Sequence, residues 1–160
     1  AINVSENGTV NIEKKMTRAE FSAIALKYFG LKPIDLKTLD RTKVFSDLAL
    51  NHKSATAIYT LVENNIIKGY SDGQFYPNKQ ISRAEALKIS FLIKNLQPYD
   101  WDGTQNIFAD VDGWKKPWAN FAHRKNIING VEIDGEKQFL PNQTITLAEA
   151  AKILVKIFEL

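Results

Sequence analysis

Ile66-Ile67-Lys68-Gly69-Tyr70-Ser71-Asp72-Gly73-Gln74-Phe75-Tyr76-Pro77-Asn78, followed by Ile81-Ser82-Arg83-Ala84-Glu85, decides the fold, because it is written again further along. Ile66-Ile67-Lys68-Gly69 returns as Ile127-Ile128-Asn129-Gly130, and Phe75-Tyr76-Pro77-Asn78 as Phe139-Leu140-Pro141-Asn142. Ile81 to Glu85 returns as Ile145-Thr146-Leu147-Ala148-Glu149, and Phe45-Ser46-Asp47 as Phe108-Ala109-Asp110. The period runs from 61 to 64 residues. Upstream, Asn7-Gly8-Thr9-Val10 aligns with Asp72 to Phe75, and Thr17-Arg18-Ala19-Glu20 with Ser82 to Glu85. A repeat of this kind governs the architecture. The chain holds the back half of a first unit (residues 1–30), a second (45–96) and a third (108–160), joined by connectors at 31–44 and 97–107.

Each unit reads as helix, turn-rich loop, helix. Ala57, Ile58, Leu61 and Val62 make an amphipathic stripe that stops at Asn64-Asn65; Trp118, Phe121 and Ala122 do the same after Pro117. The closing helices start at Thr17, Ser82 and Thr146, each with Glu three residues on, which spells a capping box three times. These helices are apolar on more than one side, with Ile24, Ile89 and Ile153 at equivalent places. They are therefore expected to pack on one another as a central three-helix core, with the opening helices outside. The fold class that follows is all-α.

Composition narrows the function. The chain has 160 residues, 44% hydrophobic and 24% charged, with 8 Gly and 5 Pro, as in ordinary globular proteins. No apolar run reaches the length of a membrane span, and no charged-then-apolar signal stands at Ala1, so any export signal is expected to have been removed. Zero cysteines exclude disulfides, thiolate metal sites and cysteine nucleophiles; a net charge of +3 is a mild bias toward anionic partners, with no Lys/Arg run for nucleic acid. His52 and His123 accompany no evident nucleophile, so catalysis is not expected. Asp100, Asp102, Asp110 and Asp112 do not complete a calcium loop, and no cofactor or metal is expected.

Arg18 and Arg83 fit a purely structural reading poorly. A cation in the first helical turn opposes the helix dipole. An anion held between that guanidinium and free first-turn amides would reverse the sign, with Gly8 and Gly73 letting backbone N–H groups approach. The alternative is that each Arg pairs with an acidic neighbour across the repeat interface.

With these residues in place the chain resembles the S-layer homology family, whose tandem modules anchor surface proteins to bacterial cell walls. The resemblance covers residues 45–160 and the second half of a unit in 1–29. It implies a pseudo-three-fold bundle whose inter-repeat grooves bind secondary cell-wall polysaccharide through a pyruvate ketal on a terminal sugar. Arg18 and Arg83 fall on the family arginine that contacts this anion. Asp47 and Asp110 match an aspartate at the groove, or else cap a helix. Trp114 matches an aromatic that stacks on sugar, or else is a half-buried core residue. Lys53 stands at its equivalent place, and Gly8 and Gly73 match the Asp-Gly turn, where they could equally be plain turn glycines.

Two departures are visible. Leu147 replaces the arginine in the third unit, which removes one charged donor. The first unit lacks an opening helix and a Phe-x-Asp motif, so a partner chain could complete it. The expectation is a non-catalytic anchor on the bacterial cell surface, binding an anionic cell-wall polysaccharide. Peptidoglycan binding and protein-interaction or lattice assembly are the alternatives.

Overall fold

The computed structural model describes residues 10–99, 103 and 106–160. Five helices carry it: α1 Arg18–Tyr28, α2 Ala55–Glu63, α3 Arg83–Ile93, α4 Lys115–Arg124 and α5 Leu147–Phe158. A short 3-10 turn, Arg41–Lys43, lies in the first connector.

All three capping boxes form. Thr17, Ser82 and Thr146 accept from the amides of Glu20, Glu85 and Glu149, and each Glu carboxylate takes the amide of its own cap residue. Each such cap is worth about 1 kcal/mol. At the other ends, Asn65, Asn95 and Asn126 turn the chain through the left-handed region just beyond α2, α3 and α4. Asn tolerates that region better than most side chains, so it stops these helices as Gly30 stops α1.

α1, α3 and α5 touch pairwise, while α2 lies on α1 and α4 lies on α3. Phe21, Phe75, Phe91, Phe108, Phe139, Ile81 and Ile145 are fully buried, so the repeated Phe and Ile positions of the loops belong to the core. The partners of the opening helices are visible in burial. Leu26 of α1 and Phe91 of α3 are covered, the latter by Phe121 at 5.0 Å between ring centroids. The equivalent outer face of α5 is exposed at Ala151, Val155 and Phe158.

The helix starts are linked head to tail. Arg18 N–H donates to Lys79 O and Ala19 N–H to Pro77 O; Arg83 N–H donates to Gln143 O and Ala84 N–H to Pro141 O. Leu147 N–H donates to Lys14 O and Ala148 N–H to Ile12 O, so the last helix leans on the first segment. Single antiparallel bridges Thr17 to Gln80, Ser82 to Thr144 and Lys15 to Thr146 reinforce the same three junctions.

One element departs from the all-helical expectation. β1 Val131–Ile133 and β2 Glu136–Gln138 form an antiparallel hairpin. Its two-residue turn, Asp134-Gly135, has φ of +52° and +79°, the backbone that twisted two-residue hairpins require. The hairpin absorbs three residues that the third loop has beyond the second, between Gly130 and Phe139 as against Gly69 and Phe75. In the shorter loop a closed turn serves instead, with Tyr70 N–H donating to Gln74 O.

Candidate functional site

Two grooves recur at equivalent places. The first, of about 270 Å³, is lined by Arg18, the loop Asn65 to Tyr70, Glu85, Lys88, Ile89 and Leu92 of α3, and Trp114. The second, of about 290 Å³, has Arg83, the loop Ile127 to Gly130, and Glu149, Lys152, Ile153 and Lys156 of α5. Each is bounded by an arginine at one helix start, the loop that carries Gly69 or Gly130, and one face of the next closing helix.

The glycine at the end of each loop is set by close approach. A Cβ on Gly69 would collide with the Phe45 ring and lie 2.9 Å from Gln74 O; one on Gly130 would collide with Phe108 and lie 2.8 Å from Gln138 O. Phe45 and Phe108 come from the Phe-x-Asp motif, and their aspartates fix the same loop two residues later. Asp47 accepts from the amides of Phe75 and Tyr76 at 2.8 and 2.7 Å, and Asp110 from those of Phe139 and Leu140 at 2.8 and 2.7 Å. Tyr76 and Leu140 sit at φ +57° and +59°, a backbone that side chains rarely adopt and that these carboxylates hold. The expected helix-cap alternative is therefore not what either aspartate does. Neither lines a groove.

Arg18 is buried and held through two of its three guanidinium nitrogens. Its Nε donates to Phe75 O at 3.0 Å and its Nη1 to Glu85 Oε1 at 2.8 Å, with the guanidinium 4.7 Å from the ring centroids of both Tyr70 and Phe75. Glu85 also accepts from the Tyr70 hydroxyl at 2.7 Å. Burial pushes the Glu85 carboxyl up, but the Ser82 amide, the Tyr70 hydroxyl and Arg18 together carry it below the usual range. Burial and the Glu85 contact push the Tyr70 hydroxyl up to about 12.

Arg83 holds the equivalent place more loosely. Its Nη1 is 3.7 Å from Glu149 Oε1, its Cζ 5.6 Å from the Phe139 ring centroid, and its buried Nε has no partner. Glu149 also meets Lys15 at 3.9 Å. Both arginines therefore pair with an acidic residue across a repeat junction. The expected free first-turn amides are absent at α1, α3 and α5, because backbone carbonyls already occupy them. Where Leu147 replaces the arginine, Glu20 takes Lys14 at 2.6 Å instead.

The other sequence candidates distribute unevenly. Trp114 precedes α4, lines the first groove and is 46% exposed. Lys53 is exposed and lines neither groove. Gly73 is a plain exposed turn glycine at φ +77°. Gly8 lies outside the described residues, as do Asp100 and Asp102. His52 precedes α2 and accepts from the Ser54 amide at 3.1 Å, while His123 lies on α4 with Nδ1 3.1 Å from Ile128 O. Among the described residues no cluster of metal-binding side chains forms, and no helix is long and apolar enough to cross a membrane.

Sequence reading missed Lys88. It lies in the first groove, its ammonium 4.9 Å from the Trp114 ring centroid and 5.9 Å from that of Trp118. Burial, and then the charge of Lys68, push it below the usual lysine range. Its recurrence as Lys152, five residues after each helix's first residue, was the available signal.

The repeated motifs that build these grooves match the S-layer homology domain profile at residues 44–87 and again at 107–151. The chain belongs to the S-layer homology family. Across 156 residues it is 30% identical to the surface-layer 125 kDa protein of Lysinibacillus sphaericus, covering 96% of this chain and 12% of that protein. It is 34% identical over 119 residues to S-layer protein sap of Bacillus anthracis, 74% of this chain and 14% of that one. A cellulosome-anchoring protein of Acetivibrio thermocellus shares 28% identity over 155 residues, 95% of this chain and 34% of its own length. The S-layer homology chain thus spans about a third or less of these relatives.

Proposed function

We propose that the chain is a non-catalytic anchoring module of the bacterial cell surface that binds an anionic secondary cell-wall polysaccharide, pyruvylated at a terminal sugar. Its arrangement is read as a pseudo-three-fold bundle of units spanning 1–30, 45–96 and 108–160, and the head-to-tail junctions support that reading. The observation that carries the function is the pair of equivalent grooves, each with an arginine, one or two lysines on the facing helix and, among the described residues, one carboxylate. Such walls favour a negatively charged guest. The names of an anchoring protein and of S-layer proteins among the relatives support the same placement.

Arg83 is the better donor, since its Nε lacks a partner and its ion pair is long. Arg18 shapes its groove from behind. Asp47 and Asp110 serve binding by holding the loops, and Trp114 offers a ring face to a sugar. Two grooves on one polymer would strengthen retention through avidity. Calorimetry with purified cell-wall polymer, before and after mild acid removal of ketals, tests this on the wild type and Arg83→Ala. Binding that needs the acid-labile group and is weakened, through loss of one groove, in Arg83→Ala is expected. Heat unchanged by acid treatment rejects the ketal, and binding to peptidoglycan instead redirects the assignment to that polymer.

One observation favours protein interaction as a second reading. The outer face of α5 exposes Ala151, Val155 and Phe158 where α1 and α3 are covered by a helix. A partner chain presenting an amphipathic helix like α2 fits that face. Light scattering that shows association rising with concentration, and lost in Val155→Asp, supports it; a monomer throughout rejects self-association.

A further inference from the structure

Among the described residues, Asn129 is the one asparagine followed by glycine. The others precede a side chain, as Asn65 and Asn126 precede Ile66 and Ile127. A side-chain amide can be attacked at Cγ by the backbone nitrogen of the next residue. A β-branched neighbour crowds that approach, and glycine leaves it open.

The local structure leaves both reacting groups unengaged. Asn129 is exposed, and among the described residues its side chain makes no hydrogen bond and the Gly130 N–H has no acceptor. The carbonyls just before it are held: Ile128 O meets His123 Nδ1 at 3.1 Å, and Asn126 O and Ile127 O accept from Lys156 Nζ at 2.9 and 3.3 Å. The Asp-Gly steps at Asp72 and Asp112 contrast with this, because their carboxylates are engaged. Asp72 accepts from the Gln74 amide at 3.0 Å and from the Tyr76 hydroxyl, and Asp112 from Lys115 at 2.9 Å.

Electrostatics point the same way. Arg83, Lys152 and Lys156 line the second groove together with Asn129, against the single carboxylate of Glu149, and the buried Arg83 Nε has no partner. Loss of the Gly130 amide proton and the oxyanion that forms at Asn129 Cγ both place negative charge on that loop, where these cations stabilise it.

We infer that Asn129-Gly130 is a deamidation site whose conversion changes the charge of the second groove. The Gly130 nitrogen bonds to Asn129 Cγ, the side-chain nitrogen leaves as ammonia, and water opens the resulting succinimide at either carbonyl to give aspartate or isoaspartate. The net reaction takes up one water and releases one ammonia. The new carboxylate stands among the three cations and competes with an anionic guest; this consequence rests on the anionic-glycan reading above. Isoaspartate also lengthens the main chain beside Gly130, where the Phe108 ring leaves no room for a Cβ. The first groove has Lys68 at the equivalent place and cannot follow, so one groove ages and the other does not.

The test is peptide mapping by mass spectrometry after the folded chain is held at mildly alkaline pH, with isoaspartate detected by enzymatic methylation. Amide-to-acid conversion at residue 129 is expected, abolished in Asn129→Gln and slowed severalfold in Lys152→Gln or by added salt. An unconverted Asn129 in a sample whose Asn7-Gly8 step has reacted overturns the inference, and a rate indifferent to Lys152→Gln and to salt overturns the role of the cations. Asn129→Asp, titrated with purified cell-wall polymer, is expected to weaken one of two sites by about fivefold or more and to leave the other intact, which also reports that the variant is folded. Two undiminished sites in Asn129→Asp overturn the charge switch and leave the glycan reading standing. Wild type that binds no polymer overturns the glycan reading and the switch together, while the mass map still decides the deamidation.

Discussion

Arg18 reaches across a repeat junction to Glu85 Oε1 at 2.8 Å while the other oxygen of the same carboxylate takes the Ser82 amide and caps α3. One carboxylate thereby joins two helix starts. Removing a single partner of a buried pair leaves the other charge unpaired, at about 3–5 kcal/mol. Arg18→Ala is expected near the lower end of that range by urea denaturation, because Glu85 keeps some solvent contact. Arg83→Ala, whose ion pair is long and half-exposed, should cost about 1 kcal/mol or less. Equal losses in the two variants would contradict this ranking.

Acid should weaken the fold through the same carboxylate. The Glu85 pKa is lower in the folded chain than its ordinary value of 4.5, so the unfolded chain binds the proton first. Stability from this group is present above the unfolded value and is lost as pH falls through the folded one. Melting temperatures measured from pH 6 downward should fall more steeply in wild type than in Glu85→Gln, which can keep the cap but has nothing to protonate.

Alkali acts through Tyr70 with the opposite sign. Its hydroxyl is raised from 10.0 to about 12 in the fold, so its contribution is intact below 10 and disappears as pH climbs toward 12. Tyr70→Phe should flatten the alkaline limb of the stability curve and leave the acid limb in place.

A methyl group at Gly69 or Gly130 has nowhere to go. Overpacking of this kind costs about 1–3 kcal/mol. Gly130→Ala is expected to be the worse of the two, because Gly130 also stands at φ +78° and Gly69 has no such positive φ. Thermal melts of the two variants give the order directly.

Asp47 and Asp110 predict a local effect. Asp110→Ala should speed hydrogen exchange at the Phe139 and Leu140 amides, and Asp47→Ala at Phe75 and Tyr76, each losing about 2–3 kcal/mol of charge-assisted bonding. Exchange that speeds up uniformly over the chain would mean global loss of stability rather than release of one loop.

The helix starts were legible because a capping box is written in four adjacent residues and its chemistry is local. The repeat was legible for the same reason, down to the shift in period that the hairpin at Asp134-Gly135 absorbs, though not the hairpin itself. Contacts between units were not. Nothing near Arg18 in sequence names Glu85 as its partner, and nothing near Asp47 names the amides of Phe75 and Tyr76. The reading of free first-turn amides failed for that reason, since the carbonyls that fill them come from about sixty residues away in sequence, at Lys79 and Gln143, and from Lys14 at the far end of the chain. Lys88 went unnoticed because a lysine on a helix is ordinarily a solvated one, and only the packing of α4 onto α3 half-buries it.

The bond from Leu147 N–H back to Lys14 O changes how the molecule can come apart. An open stack of repeats has two ends, and each end frays at the cost of a single interface. Here the final helix is fastened to the opening segment, so peeling any unit away breaks two junctions at once. Unfolding should be all-or-none, and a tether pulled from either terminus would meet the resistance of the whole assembly before any one repeat let go.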